Sequence, residues 1–193
     1  MRPDSGDVLV TGANGGVGSV AVALLASLGY RVVASTGRLD ETDYLKSLGA
    51  AQVLLRSEID YGKRPMESVR WAGAVDNVGG EMLDTLLLHM APLGRILICG
   101  AMSSGYTDVK MEQGPRNYMR ICTNQLTVQG FLLLFYRDQL AEGAKQMAQW
   151  VAEGKLYVEE NIVEGFEHAP SLLPTMFTGK RPGKLLLKVA DPV

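Results

Sequence analysis

Asp7-Val8-Leu9-Val10-Thr11-Gly12-Ala13-Asn14-Gly15-Gly16-Val17-Gly18-Ser19 passes from a short apolar run through a glycine-rich turn into a helical pattern. Asp7 to Val10 has the length and composition of a buried strand. Val20, Leu24, Leu25 and Leu28 then recur at helical spacing from Ser19 onward, until Gly29 stops the helix. Arg31 to Ala34 is the next strand. The unit is strand, tight turn, helix, strand, and it sets the pattern for the rest of the chain.

The alternation continues to the end of the sequence. Strands are expected at Gln52 to Leu55, Ala72 to Val75, Arg95 to Cys99 and Leu126 to Leu134. Helices are expected at Glu41 to Ser47, Glu81 to Met90, Asn117 to Thr123 and Asp138 to Glu153. Leu140, Ala144, Met147 and Val151 form the apolar stripe of the last of these. Two further β-like pieces, Val158 to Val163 and Leu185 to Val189, flank a final helix near Ser171 to Phe177. Strands alternating with helices need a parallel sheet covered on both faces. The expected fold is therefore α/β, a doubly wound parallel sheet of about six strands, the Rossmann fold, in one domain over residues 1–193.

A glycine-rich turn between strand and helix has a specific chemistry. The helix start offers N–H groups and the positive end of the peptide dipoles, and glycines let a ligand approach the backbone. Gly12, Asn14, Gly15, Gly16, Val17 and Gly18 are thus candidate contacts for a dinucleotide pyrophosphate. A turn of the same shape with no ligand is the alternative. The second strand runs into Ser35-Thr36-Gly37-Arg38 with no acid before Asp40. A cation with hydroxyl donors suits a ribose 2′-phosphate, whereas an acid suits a free 2′-OH. These residues favour NADPH over NADH, against the alternative that Arg38 is a solvated surface arginine.

Composition narrows the classes further. Of the 193 residues 47% are apolar and 21% charged, a globular balance, and the net charge of −2 gives no reason to expect nucleic acid as a partner. No apolar run approaches the ~20 residues that span a bilayer, and the first residues lack a signal-peptide core, so no membrane partner and a cytoplasmic location are expected. Cys99 and Cys122 read as reduced, buried thiols. His89 and His168 stand in unrelated contexts, and no metal-ligand spacing occurs, so no metal site is expected.

The turn from Val10 to Ser19 resembles that of the quinone reductase-like medium-chain dehydrogenases/reductases. Thr36-Gly37-Arg38, the Tyr44 to Ala50 segment and the Trp71 to Asp76 segment are most similar to the acrylyl-CoA reductase group. Asp76 to Gly80, Cys99 to Ser103, Gly114 to Asn117, Val128 to Phe131 and Gly183 to Leu186 are more similar to prostaglandin and curcumin reductases. The resemblance implies that Arg56 joins Thr36-Gly37-Arg38 at the 2′-phosphate. It also implies that Asn77, Ala101, Phe131, Leu132 and Leu133 lie along the nicotinamide half of the cofactor, with Cys99 and Gly100 as further cofactor contacts. Arg181 stands where prostaglandin reductases carry an asparagine that contacts the cofactor. Further, the resemblance implies a zinc-independent reductase of activated C=C bonds or quinones acting on a small-molecule substrate. It implies a GroES-like catalytic domain that this chain lacks, leaving the chain alone inactive, and a homodimer joined through the edge strand near Val128 to Leu134.

Two other readings fit the same residues. Tyr106-Thr107-Asp108-Val109-Lys110 matches the Tyr-x-x-x-Lys of short-chain dehydrogenases, in which Lys110 would lower the Tyr106 pKa for carbonyl reduction. Gly105 and Asp108 suggest loop rather than helix there, and Ser103 and Ser104 crowd Tyr106. Tyr106 is the candidate catalytic donor near the nicotinamide, against the favoured alternative of a loop tyrosine packed on a neighbour. The last reading is a binding or dimerisation module that holds NADPH without turnover.

Overall fold

The computed structural model describes residues 1–59, 71–104, 114–178 and 183–191. Its main sheet has six parallel strands: β1 (Val8–Val10), β2 (Val32–Thr36), β3 (Gln52–Leu55), β4 (Trp71–Asp76), β5 (Met90–Ile98) and β6 (Thr127–Gly130). Their order is β3-β2-β1-β4-β5-β6, the doubly wound order of the Rossmann fold. The chain builds outward from β1 to β3, then returns to lay β4 on the other side of β1. That reversal opens a crevice above the carboxyl ends of β1 and β4.

Strand residues of alternating side feed two separate apolar layers. Val10, Val32 and Ala34 face α1 (Gly16–Ser27) and α2 (Thr42–Ser47), packing with Val22, Ala23, Leu45 and Leu48. Leu9, Val33, Ala74 and Ile96 face the opposite way and pack with Leu86, Leu87 and Met90 at α3 (Gly80–His89) and its end. In register Leu9 lies between Val33 and Ala74, so each layer is continuous across the strands. Burial on both faces explains why β1 and the first three residues of β2 read as unbroken apolar runs.

The remaining elements are α4 (Met119–Thr123), α5 (Leu140–Ala152), β7 (Glu160–Glu164), α6 (Ala169–Thr178) and β8 (Lys184–Lys188). β7 and β8 pair in parallel as a separate two-stranded sheet. Along α5 the apolar stripe is solvent-facing: Leu140, Met147 and Val151 are exposed, while Trp150 packs on the α1 layer. Among the described residues no helix is long and apolar enough to cross a membrane.

The structure corrects several boundaries. β2 continues through Ser35 and Thr36 instead of ending at Ala34, because Leu54 and Leu55 of β3 extend its ladder. β6 stops at Gly130 rather than at Leu134. Its ladder with β5 ends at Ile98, and Leu133–Gln139 turns into a tight helical segment. β5 gains a pair, Trp71 with Met90, separated from the main ladder by an irregularity near Leu93, whose φ is 64°. The cysteines are not two buried thiols. Cys99 is half-buried and Cys122 exposed, because α4 turns the neighbouring Ile121 toward the core.

Leu86 is fully buried at the centre of the second layer. Leu86→Ala is expected to destabilise the fold by about 2–5 kcal/mol through lost burial and a cavity. A lower urea midpoint with an unchanged slope is the expected result.

Candidate functional site: a dinucleotide crevice

Thr11 leaves β1 with its side chain turned toward the end of β4. Its hydroxyl donates to Asp76 Oδ1 at 2.7 Å and accepts from the Asn77 N–H at 2.9 Å. The Asn77 amide donates in turn to the Thr11 carbonyl at 2.7 Å. Asp76 is fully buried, and its carboxylate also accepts from the N–H groups of Val78 at 3.0 Å and Gly79 at 3.2 Å. Its carbonyl accepts from the N–H of Cys99 at 2.8 Å, which draws in the segment after β5. One residue thus holds the turns that come after β1, β4 and β5.

The glycine-rich turn sits on this base. Gly12 has φ 57°, in the left-handed region that favours glycine. A Cβ on Gly18 would lie 2.7 Å from Ala13 Cα, inside the turn itself. The turn therefore closes only if glycine occupies position 18, where α1 begins to pack on its own approach. Gly15 is the N-cap residue, and the first turn of α1 carries no acid. Gly15 and Val17 are exposed, Gly12, Asn14 and Gly16 half-buried. The first turn of α1 thus offers backbone N–H groups with no acid among its own residues to oppose an anion. β8 completes the surround: the Gly183 N–H donates to the Asn14 carbonyl at 3.1 Å, and the Lys184 side chain lies against Gly16.

A second cluster forms at the end of β2. Ser35 and Thr36 are both buried, and the Ser35 carbonyl accepts from the Ala13 N–H at 3.0 Å. Gly37 is exposed, and a Cβ there would lie 2.5 Å from Nη2 of Arg56, which comes directly after β3. Arg38 is the next residue along the chain. The Arg38 guanidinium is forked onto Asp40, with Nε at 3.1 Å and Nη2 at 2.6 Å. That bond raises the Arg38 pKa and holds the Asp40 carboxyl below its ordinary value.

The nicotinamide-side candidates gather at the far wall. Asn77 is buried. Cys99 and Gly100 are half-buried behind it, with Ala101 exposed at the rim. Burial, with the nearby Asp76 charge, pushes the Cys99 thiol pKa up. Phe131 is joined to β5 by its N–H donating to the Ile98 carbonyl at 2.8 Å, and its ring stacks on Tyr136 at 5.1 Å. Leu132 and Leu133 are more than half exposed beyond it. The Gly114 to Asn117 motif does a structural job. Asp84 of α3 accepts from Arg116 Nε at 3.1 Å and from the Asn117 N–H at 3.0 Å, docking the chain that leads into α4. Tyr106, Lys110 and Arg181 lie outside the described residues. Among the described residues no three His, Cys, Asp or Glu side chains gather as a metal-ligand set.

Residues 16–153, more than half of the chain, match the family model described as zinc-binding dehydrogenase. The chain belongs to this family. It is 36% identical over 197 residues to the putative NADP-dependent oxidoreductase YfmJ of Bacillus subtilis, covering 99% of this chain and 58% of that protein. It is 35% identical to the probable acrylyl-CoA reductase AcuI of Escherichia coli, covering 98% of this chain and 56% of that protein. The solved structure of the yhdH oxidoreductase from Salmonella enterica, in complex with NADP, superposes with a TM-score of 0.78 at 32% identity. That superposition covers 98% of this chain and 56% of the other. The chain therefore spans little more than half the length of the relatives it matches.

Two carboxylates escaped the sequence reading as site residues, Asp76 and Glu41. Asp76 carries the connections between turns, and Glu41 is buried behind Asn14 and Thr36. Asp76→Ala would strand the half-buried N–H of Val78, the buried N–H of Gly79 and the buried Thr11 hydroxyl. Each such group costs roughly 1–3 kcal/mol, so a loss of at least about 3 kcal/mol is expected in chemical denaturation.

Proposed function

We propose that this chain is the NADPH-binding part of a zinc-independent oxidoreductase that reduces activated carbon–carbon double bonds, with enoyl thioesters, enones or quinones as substrates. The observation that carries the cofactor reading is the pair Arg38 and Arg56 flanking Gly37, beside a glycine-rich turn with no acid at its helix start. Two guanidiniums at the end of β2 suit a 2′-phosphate, and a bare helix start suits a pyrophosphate. The names of the relatives, an NADP-dependent oxidoreductase and an acrylyl-CoA reductase, support the same assignment.

NADPH, when bound, supplies a hydride from its nicotinamide ring to the β-carbon of the substrate. The chain's own residues bind and orient it. Gly12 to Gly18 seat the pyrophosphate, and Arg38 and Arg56 hold the phosphate on the ribose. Asn77, Ala101 and Phe131 to Leu133 border the ring and fix which face meets the substrate. Reduction leaves negative charge on the substrate oxygen, which needs a hydrogen-bond donor; Tyr106 is the candidate from this chain.

The same reading includes a homodimer of cofactor domains. β6 ends the sheet order, paired on one side with β5. The run just beyond it is unusually apolar for a surface: Leu134 is 60% exposed and Phe135 84%. An exposed strand edge beside such a run favours pairing with a second copy across a two-fold axis.

Calorimetric titration is expected to show NADPH binding at least tenfold tighter than NADH, about 1.4 kcal/mol. Arg38→Ala should weaken NADPH and leave NADH nearly unchanged; equal affinities in the wild type would overturn the reading. Sedimentation is expected to show a dimer at high micromolar concentration. Leu132→Asp with Leu134→Asp should give monomers or aggregates.

A further inference from the structure

Glu41 is an acid five residues beyond Thr36, in the region where an acid ordinarily accepts from a ribose 2′-OH and so favours NADH. Its surroundings rule out that use. The side chain is 3% exposed, and both of its oxygens are engaged. Oε2 accepts from the Thr36 hydroxyl at 2.8 Å. Oε1 accepts from the Asn14 amide at 3.2 Å and faces Arg38 Nε at 3.4 Å. The Thr36 hydroxyl also accepts from the Arg38 N–H at 3.2 Å while it donates to Glu41.

The three partners belong to different parts of the crevice. Asn14 is in the phosphate turn after β1, Thr36 closes β2, and Arg38 carries the cation for the 2′-phosphate. Among the described residues Glu41 is the carboxylate that touches all three. Asp40 differs in kind: it grips the same guanidinium but is 67% exposed, and its fork competes with any phosphate for Arg38. Resting on the NADPH reading above, we propose that Glu41 is a positioning residue for cofactor choice, tying the Asn14 turn to Arg38 so that the guanidinium meets the 2′-phosphate. An acid near the end of β2 here promotes NADPH by where it holds its partners.

Charge and position make opposite predictions, which makes the test sharp. Removing a negative charge near a phosphate should tighten NADPH by electrostatics alone. Loss of positioning should loosen it. Titrations of NADPH and NADH with the full chain are expected to show Glu41→Gln lowering the NADPH-to-NADH preference about tenfold, the scale of one charge-assisted hydrogen bond. Asp40→Asn, which removes the same charge from the exposed neighbour, should leave NADPH binding equal or tighter. Glu41→Asp keeps the charge but draws it back by one methylene, and should lose preference as well. In an Arg38→Ala background Glu41→Gln should change the preference no further, whereas a merely structural role would lower both affinities in either background. Melting curves identify any variant that fails to fold, and Glu41→Asp then carries the comparison. An unchanged or increased preference in both Glu41 variants overturns the inference. A wild type without preference overturns the cofactor reading and this inference with it.

Discussion

The crevice depends on one buried carboxylate. Asp76 has no solvent to compensate its charge, so the protein must supply donors, and it draws them from its own turn and from the one after β1. Without Thr11, Val78 and Gly79 in place, a full charge would be stranded in an apolar layer, at a cost that a domain of this size does not tolerate. Burying the acid therefore enforces the geometry of the turns. The Thr11 hydroxyl, donating to Asp76 and accepting from Asn77, fixes the direction of the network.

The end of β2 repeats this arrangement. Thr36 donates to a buried acid, Glu41, and accepts from the backbone two residues on. In each case a threonine at a strand end couples an inward carboxylate to a turn of the crevice. The crevice thus has anchored acids behind its walls and the cations Arg38 and Lys184 nearer its surface, so the acids act through the groups they hold and not through their own charge.

Much of this was legible in the sequence, for physical reasons that differ by element. β1 and the helices that follow it were readable because full burial imposes an apolar run on the strand and helical spacing imposes stripes on the helices. The glycines at 12 and 18 were readable because glycine is favoured at a positive φ and because a Cβ at position 18 would collide with the backbone of the turn. The ends of β2 and β6 were not. A strand stops where its neighbour stops, and Leu55 and Ile98 are distant in sequence from the residues they pair with or precede. Glu41 was hidden for a related reason: an acid beside an arginine reads as a surface pair, and only the folded chain turns it toward Asn14. The exposed side of Cys122 was likewise set by the orientation of a five-residue helix.

The bond from the Gly183 N–H to the Asn14 carbonyl, with Lys184 laid across Gly16, carries a consequence for how the pocket forms. The two partners lie far apart in sequence, so their contact closes a long loop whose entropy is offset only once the segments between them have packed. The phosphate turn therefore gains this wall with the fold as a whole. A ligand that needs the wall acts by mass action on the folded domain and stabilises it.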